Sequence, residues 1–372
     1  MIEQDPYRIA DPDGLETPAM VVFEEMVDHN IAALCELVGG AANLMVHVKT
    51  HKSEAIARKQ LDAGISGFKC ATLRELEMGL EAGAPEVILA YPMVQRRKVE
   101  RFATISADHA DQKVYATVGD QRHVDMLVQI ADARQQTLRV MVDLDVGMHR
   151  TGAGVGDEAA DLYAAIHAAQ RLETGGLHVY DGHEHFRDPD ARAAAAQRHV
   201  DDLKIFKGQL ESRGMSVPRV VGGGSFSYAT YARAEGFHGS PGTVIYWDIN
   251  GTTRMSDQPY RWAAMVLCQV VDRHPEQLTV TTDLGVKAIA ADPPLDNRAR
   301  LFGHEQAKLL LQNEEHGVFL WTDAESLPQV GDYLLAIPGH VCPTTIRFPG
   351  SYVIDGQGSV VDYYPHTARD RQ

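Results

Sequence analysis

Leu44-Met45-Val46-His47-Val48-Lys49-Thr50-His51-Lys52-Ser53 runs from an apolar stretch into a polar one, and a helix-patterned segment over residues 54–63 follows directly. A short apolar run bounded this way reads as a buried strand that empties into a loop. Lys49 therefore stands where a strand ends, with histidines on both sides. Outward from this point the same unit recurs. Short β-rich runs cover residues 44–48, 67–70, 87–90, 114–117, 138–144, 176–179, 219–221 and 243–246. Between them lie amphipathic stretches such as 73–82 and 191–211, the latter rich in alanine and charge at helical spacing. Eight such units predict an α/β fold, a (β/α)8 TIM-type barrel, whose chemistry gathers at the carboxyl ends of its strands.

After about Thr253 the texture changes to β-branched and aromatic runs at 263–273, 277–282, 317–321, 333–337 and 352–354, split by Pro, Gly and Asp turns. A second, C-terminal β domain is expected there. The division read from the sequence is a barrel over 17–252 and a β domain over 253–372 that takes in residues 1–16. Thr17-Pro18-Ala19-Met20-Val21-Val22 is expected to be the strand that leads into the barrel.

Composition narrows the function classes. The chain has 372 residues, 44% hydrophobic and 23% charged, as in a globular protein. A formal net charge of -16 argues against a nucleic-acid or anionic-membrane partner, both of which need clustered lysine and arginine. No run approaches the roughly 20 apolar residues that span a bilayer. Met1-Ile2-Glu3-Gln4-Asp5 lacks the basic start of a signal peptide, so a cytoplasmic location is expected. The cysteines Cys35, Cys70, Cys268 and Cys342 are too scattered for a disulfide framework, and the first three fall in core-like patterns.

Several stretches carry chemistry. A lysine partly withdrawn from water gives up part of its preference for the charged form, which frees its amine as a nucleophile or base. Asp143-Leu144-Asp145-Val146-Gly147-Met148-His149-Arg150-Thr151-Gly152 follows the fifth predicted strand and presents Arg150 at the same rim as Lys49. Gly222-Gly223-Gly224-Ser225 follows the seventh and opens a helix pattern, so its N–H groups form a phosphate cradle candidate. Leu177-His178-Val179-Tyr180-Asp181-Gly182-His183-Glu184-His185 follows the sixth. His183 and His185, one residue apart, share a face in an extended segment and suit metal ligation, general-base chemistry, or one of each. His340-Val341-Cys342-Pro343-Thr344 pairs an imidazole with a thiol, a combination that suits zinc.

Together these motifs resemble the D-threonine aldolase and D-serine dehydratase family, pyridoxal-phosphate enzymes with an alanine racemase-like (fold type III) barrel. The resemblance runs from Thr17 to the C-terminus and includes Gly67-Phe68-Lys69-Cys70-Ala71-Thr72 and Asp283-Leu284-Gly285-Val286-Lys287-Ala288. It implies that Lys49 carries pyridoxal 5'-phosphate as a Schiff base. The stretch around Arg150 is similar to the Asp-x-Gly-Met-x-Arg-x-Gly motif of alanine racemases, whose arginine approaches the cofactor's phenolic oxygen. Tyr180 is implied to lie near the cofactor, and Gly223, Gly224 and Ser225, with Gly242 and Thr243 of Ser240-Pro241-Gly242-Thr243, to hold its phosphate. His340 and Cys342 match the dehydratases' His-x-Cys-Pro-Thr motif, which holds zinc. In several of the aldolases an aspartate replaces the cysteine and suits manganese or magnesium.

The implied activity is that of a metal-dependent lyase on β-hydroxy-D-amino acids, with aldol cleavage of D-threonine-type substrates to glycine and an aldehyde placed first. Dehydration of D-serine to pyruvate and ammonia is the alternative that Cys342 favours, and amino-acid racemisation is a further one. Lys49, His183 and His185 are the catalytic candidates. The resemblance also implies a homodimer.

Overall fold

The computed structural model describes residues 2–371, and these form two compact units: Met1–Ala33 with Thr50–Ile56 and Thr243–Arg369, and Leu34–Lys49 with Ala57–Gly242 and Asp370–Gln372. The second unit holds a parallel eight-stranded barrel. Its strands are β1 (Met45–His47), β2 (Gly67–Cys70), β3 (Glu86–Leu89), β4 (Lys113–Val118), β5 (Leu138–Asp145), β6 (Leu172–Val179), β7 (Val220–Gly222) and β8 (Phe237–Gly239). Each pairs with the next in sequence order. A single parallel bridge between Leu44 and Gly239 brings the ends together, supported by Gly239 N–H donating to Asn43 C=O at 2.9 Å.

Helices return the chain between strands, and their starts follow ordinary capping rules. Thr72 accepts from the N–H of Glu75 at the head of Leu73–Glu81, Asp120 from Arg122 before Gln121–Arg134, and Asp188 from Ala191 before Pro189–Ser212. Inside the barrel Met45, Ile88, Tyr115, Met141 and Val221 form one buried apolar layer. Because side chains alternate along a strand, the next inward positions toward the carboxyl ends are His47 on β1, Thr117 on β4 and Asp143 on β5. A dry floor therefore supports a polar layer, and the polar layer is where chemistry is placed.

The eighth strand differs from the sequence expectation. Residues 243–246 are not a strand: Thr243–Ile245 is a 3-10 turn, with the N–H groups of Tyr246 and Trp247 both donating to Thr243 C=O. Val244, Ile245 and Tyr246 are all fully buried, so their unbroken apolar run imitates an inner strand. The true eighth strand, Phe237-His238-Gly239, is too short to show any periodicity.

The first unit holds an antiparallel-dominated sheet built on the long strand Ala264–His274. That strand pairs with Thr279–Thr282, with Tyr333–Pro338 and with Ala19–Phe23. Ala19–Phe23 is thus a central strand of this sheet, parallel to Gly350–Ile354, rather than a lead into the barrel. All five of its residues are buried, as a strand covered on both faces requires. The strands Ala299–Leu301, Lys308–Gln312 and Val360–Pro365 also belong to this unit and were not expected from the sequence.

Candidate active site

Strand register sets the barrel unit's polar layer. The β1–β2 pairing puts His47 opposite Lys69, and the β5–β6 pairing puts Asp143 opposite His178. The latter two meet at 2.6 Å, His178 Nδ1 to Asp143 Oδ1. Burial alone would raise the Asp143 carboxyl, but the His178 imidazole and the Thr151 hydroxyl outweigh it and hold it below its ordinary value. Complete burial pushes His178 down despite that carboxylate. The pair is therefore a carboxylate accepting from the Nδ1–H of a neutral imidazole, and His178 Nε2 is left buried with no hydrogen-bond partner among the described residues.

Three cations surround one aromatic ring above this layer. Arg150 lies 5.1 Å from the Tyr180 ring centre, Lys69 at 5.6 Å and Lys49 at 6.0 Å. Lys49 is half-buried at the end of its strand, its own N–H donating to His47 Nδ1 at 3.3 Å. Lys69 is only 2% exposed. Burial, with the charges of Lys49 and Arg150 against the opposing pull of Asp143 and Asp181, lowers its ammonium to about 7. Three cations around one ring cost free energy unless an anion joins them.

The glycine loop lies against the same ring. A Cβ on Gly224 would come within 2.9 Å of Tyr180 Cε2, and Gly223 has φ +77°, so neither position accepts a side chain without strain. Gly224 N–H donates to Ser227 Oγ at 3.1 Å, and that hydroxyl donates to Asp181 Oδ1 at 2.7 Å. The N–H groups of Gly223 and Ser225 have no backbone acceptor among the described residues. These N–H groups form a run of backbone donors at the end of a barrel strand, the kind of concavity that binds anions.

His183 and His185 do not share a face. The segment is a turn, closed by Glu184 N–H donating to Asp181 C=O at 3.0 Å, and the alternation of an extended chain does not apply. His183 turns toward His199, ring centres 6.2 Å apart, whereas His185 packs on Phe226 at 5.1 Å.

In the other unit, His340 Nδ1 lies 2.6 Å from Asp292 Oδ2. Cys342 Sγ lies 3.2 Å from Thr50 Oγ1 and 3.7 Å from Thr243 Oγ1. Burial would lower the His340 imidazole, but Cys342 and Asp292 raise it to about 9. The buried Asp248 fixes the backbone here, accepting from Gly251 N–H at 2.8 Å and from Val341 N–H at 3.0 Å. Imidazole and thiol are thus held on one short stretch, with a carboxylate behind the imidazole, the arrangement that orients a metal-ligating histidine.

The structure gathers Lys49, Arg150, Tyr180, Gly223 and Gly224 in one unit, and His340, Cys342 and Thr243 in the other. Sequence reasoning passed over Lys69, Asp143, His178 and Asp292. A lysine in the middle of the apolar strand Gly67-Phe68-Lys69-Cys70 was the available signal for the first.

Fold and site define an alanine racemase-like protein. The chain belongs to the family described as "Alanine racemase, N-terminal domain", whose model matches residues 24–249, and residues 263–354 match the model described as "Putative serine dehydratase domain". Among curated proteins it is 25% identical to the D-threonine aldolase of Arthrobacter sp, over 98% of this chain and 96% of that protein. It is 24% identical to the D-threo-3-hydroxyaspartate dehydratase of Delftia sp. (strain HT23), over 93% and 96%. Among solved structures, D-threonine aldolase from Filomicrobium marinum superposes with a TM-score of 0.88 at 27% identity, covering 95% of this chain and 96% of that one. These relatives are lyases, and the barrel with a separate sheet unit is the fold they share with this chain. Among the described residues no helix is long and apolar enough to cross a membrane.

Proposed function

We propose that this chain is a pyridoxal-phosphate- and divalent-metal-dependent lyase acting on β-hydroxy-D-amino acids, with aldol cleavage of D-threonine-type substrates as its first reaction. The observation that carries the reading is the cationic cluster of Lys49, Lys69 and Arg150 around Tyr180, beside a glycine nest. The alanine racemase-like family binds pyridoxal phosphate, and these residues fit it: an aromatic ring, cations for an anionic ring and phosphate, free N–H donors, and a cradle that a Cβ would fill. Lys49 would hold the cofactor covalently and Arg150 would face its phenolic oxygen. Tyr180 would pack by the ring, and Gly223, Gly224, Ser225, Gly242 and Thr243 would hold the phosphate. When bound, the cofactor supplies a sink for the electron pair released at the substrate's Cα.

His340 and Cys342 would hold the divalent ion, which supplies acidity to the substrate's β-hydroxyl. Support comes from the donor set and from solved variants of the hydroxyaspartate dehydratase, a histidine-to-alanine variant and, two positions on, a cysteine-to-alanine variant in metal-free form. That spacing is the spacing of His340 and Cys342. Imidazole with thiolate suits zinc; manganese and magnesium are the alternatives.

For aldol cleavage, a histidine of the 183–185 turn takes the β-hydroxyl proton, and the Cα–Cβ bond breaks to leave an aldehyde and, after protonation at Cα, glycine. For dehydration, Lys49 takes the α proton and the hydroxyl leaves. Cys342 favours this second reading, since it stands where several aldolases of the family carry aspartate. A homodimer and a cytoplasmic location complete the reading, the first on family resemblance and the second on composition.

The test is product analysis on cofactor- and metal-loaded protein given D-threonine, D-serine and D-threo-3-hydroxyaspartate separately, before and after EDTA. Glycine with acetaldehyde from D-threonine, lost with EDTA, is expected. Keto-acid and ammonia without glycine would replace aldol cleavage by dehydration. Activity untouched by EDTA would remove the metal.

A further inference from the structure

We propose that His183, Glu184 and His199 form a second divalent-cation site, separate from the His340 and Cys342 pair and suited to a transition metal such as zinc. Two imidazole nitrogens and a carboxylate oxygen lie within 4.8 Å of one another. Glu184 Oε1 is 3.8 Å from His183 Nε2 and 3.6 Å from His199 Nε2. Both gaps exceed a hydrogen bond, so the three groups face one another without bonding. Zinc takes such donors at about 2.0–2.2 Å, which in tetrahedral geometry sets two ligands about 3.3 Å apart. The two imidazole–carboxylate separations need about half an ångström of closure or less.

Local structure holds the donors in place. The Asp181–Glu184 turn holds the backbone of Glu184, and the helix Pro189–Ser212 carries His199. His199 Nε2 is buried and has no hydrogen-bond partner among the described residues, a cost that a bound cation removes. Gly147 leaves space on the other side: a Cβ there would stand 3.1 Å from His183 Nε2. His199 also lines a cleft of about 590 Å³ together with Asp145, Val155, Asp202 and Phe206. An occupied site engages the lone pair of His183 Nε2, and proton transfer from the 183–185 turn then falls to His185.

The experiment counts ions. Protein stripped with chelator is loaded with zinc or cobalt at slight excess, gel-filtered, and assayed for metal per chain and for the sulfur-to-cobalt charge-transfer band that marks a thiolate ligand. Wild type is expected to hold two ions per chain. His199→Gln and Glu184→Gln are each expected to lose one ion and keep the sulfur band. A His340→Ala, Cys342→Ala double variant is expected to lose the other ion together with the band. Thermal midpoints near wild type establish that each variant is folded. The inference is overturned if both His199→Gln and Glu184→Gln retain the wild-type count. Loss of an ion in those two variants but none in the double variant would support this site and overturn the His340 and Cys342 assignment instead.

Discussion

Lys69 gives the most demanding test of the barrel's electrostatics. Its ammonium is held at about 7 instead of the ordinary 10.5, so the folded chain binds that proton more weakly than the unfolded chain by about 5 kcal/mol. Below pH 7 the lysine is charged in both states and the whole penalty weighs on the native state. From there to about pH 10.5 the unfolded chain binds more protons than the folded one, and stability rises with pH by up to about 1.4 kcal/mol per unit. Lys69→Met keeps the apolar stem and removes the titration. The cofactor-free variant is therefore expected to exceed wild type in unfolding free energy by up to about 5 kcal/mol below pH 7, an advantage that shrinks steadily as pH rises. The assay is urea unfolding of both proteins at matched pH values between about 6 and 9.5. Titrating groups remote from Lys69 are common to both and cancel in the difference, while His178 and Asp143, which feel the Lys69 charge, add a change of their own. A difference that stays constant over the whole range would refute the claim that the surroundings of Lys69 lower its ammonium. An anionic cofactor among the three cations should itself flatten the wild-type dependence, since it stabilises the charged lysine.

The remaining predictions concern single contacts. Lys49→Ala should abolish turnover and the visible absorbance of lysine-bound cofactor together, whereas Lys69→Met should leave the lysine-bound absorbance in place; an absorbing Lys49→Ala protein would refute the assignment. Gly224→Ala drives a Cβ to within 2.9 Å of Tyr180 Cε2 and should weaken cofactor binding by about 1–3 kcal/mol, roughly fivefold to 150-fold by fluorescence titration; unchanged affinity would show that the cradle is not used. Asp292→Asn removes the carboxylate 2.6 Å behind His340 and should lower metal affinity about 10–100-fold, read by chelator competition. Cys342→Asp should keep a metal but shift preference from zinc toward manganese or magnesium, and equal zinc affinity before and after would count against the thiolate as ligand.

How much of this was legible in the chain varies with the kind of contact. The alternation of strand and helix showed the barrel, because each inner strand is a continuous apolar run that ends at a polar rim. Residues 243–246 misled for the same reason: a run buried on all sides carries no period, and only the turn bonds to Thr243 distinguish it from a strand. Ala19–Phe23 was recognisable as a strand, but its sheet was not, since pairing with Ala264–His274 joins residues some 245 positions apart. The His183 and His185 geometry turned on one backbone bond, Glu184 to Asp181, which reverses the alternation that an extended segment would have given.

Lys69 and Asp143 show why a site is harder to read than a fold. Each lies inside a strand whose neighbours are apolar, and propensity assigns it no role beyond an interruption. Their function depends on register. One strand's pairing sets Lys69 opposite His47, another sets Asp143 opposite His178, and both pairs stand above the apolar floor of the barrel. A shift of one residue in either pairing would turn these side chains outward and leave the Tyr180 ring with fewer cations. The site is consequently a property of the closed sheet. The lysine at the strand end could be found from its motif, but the charges that prepare its surroundings for an anion are supplied by neighbours that only barrel closure brings to it.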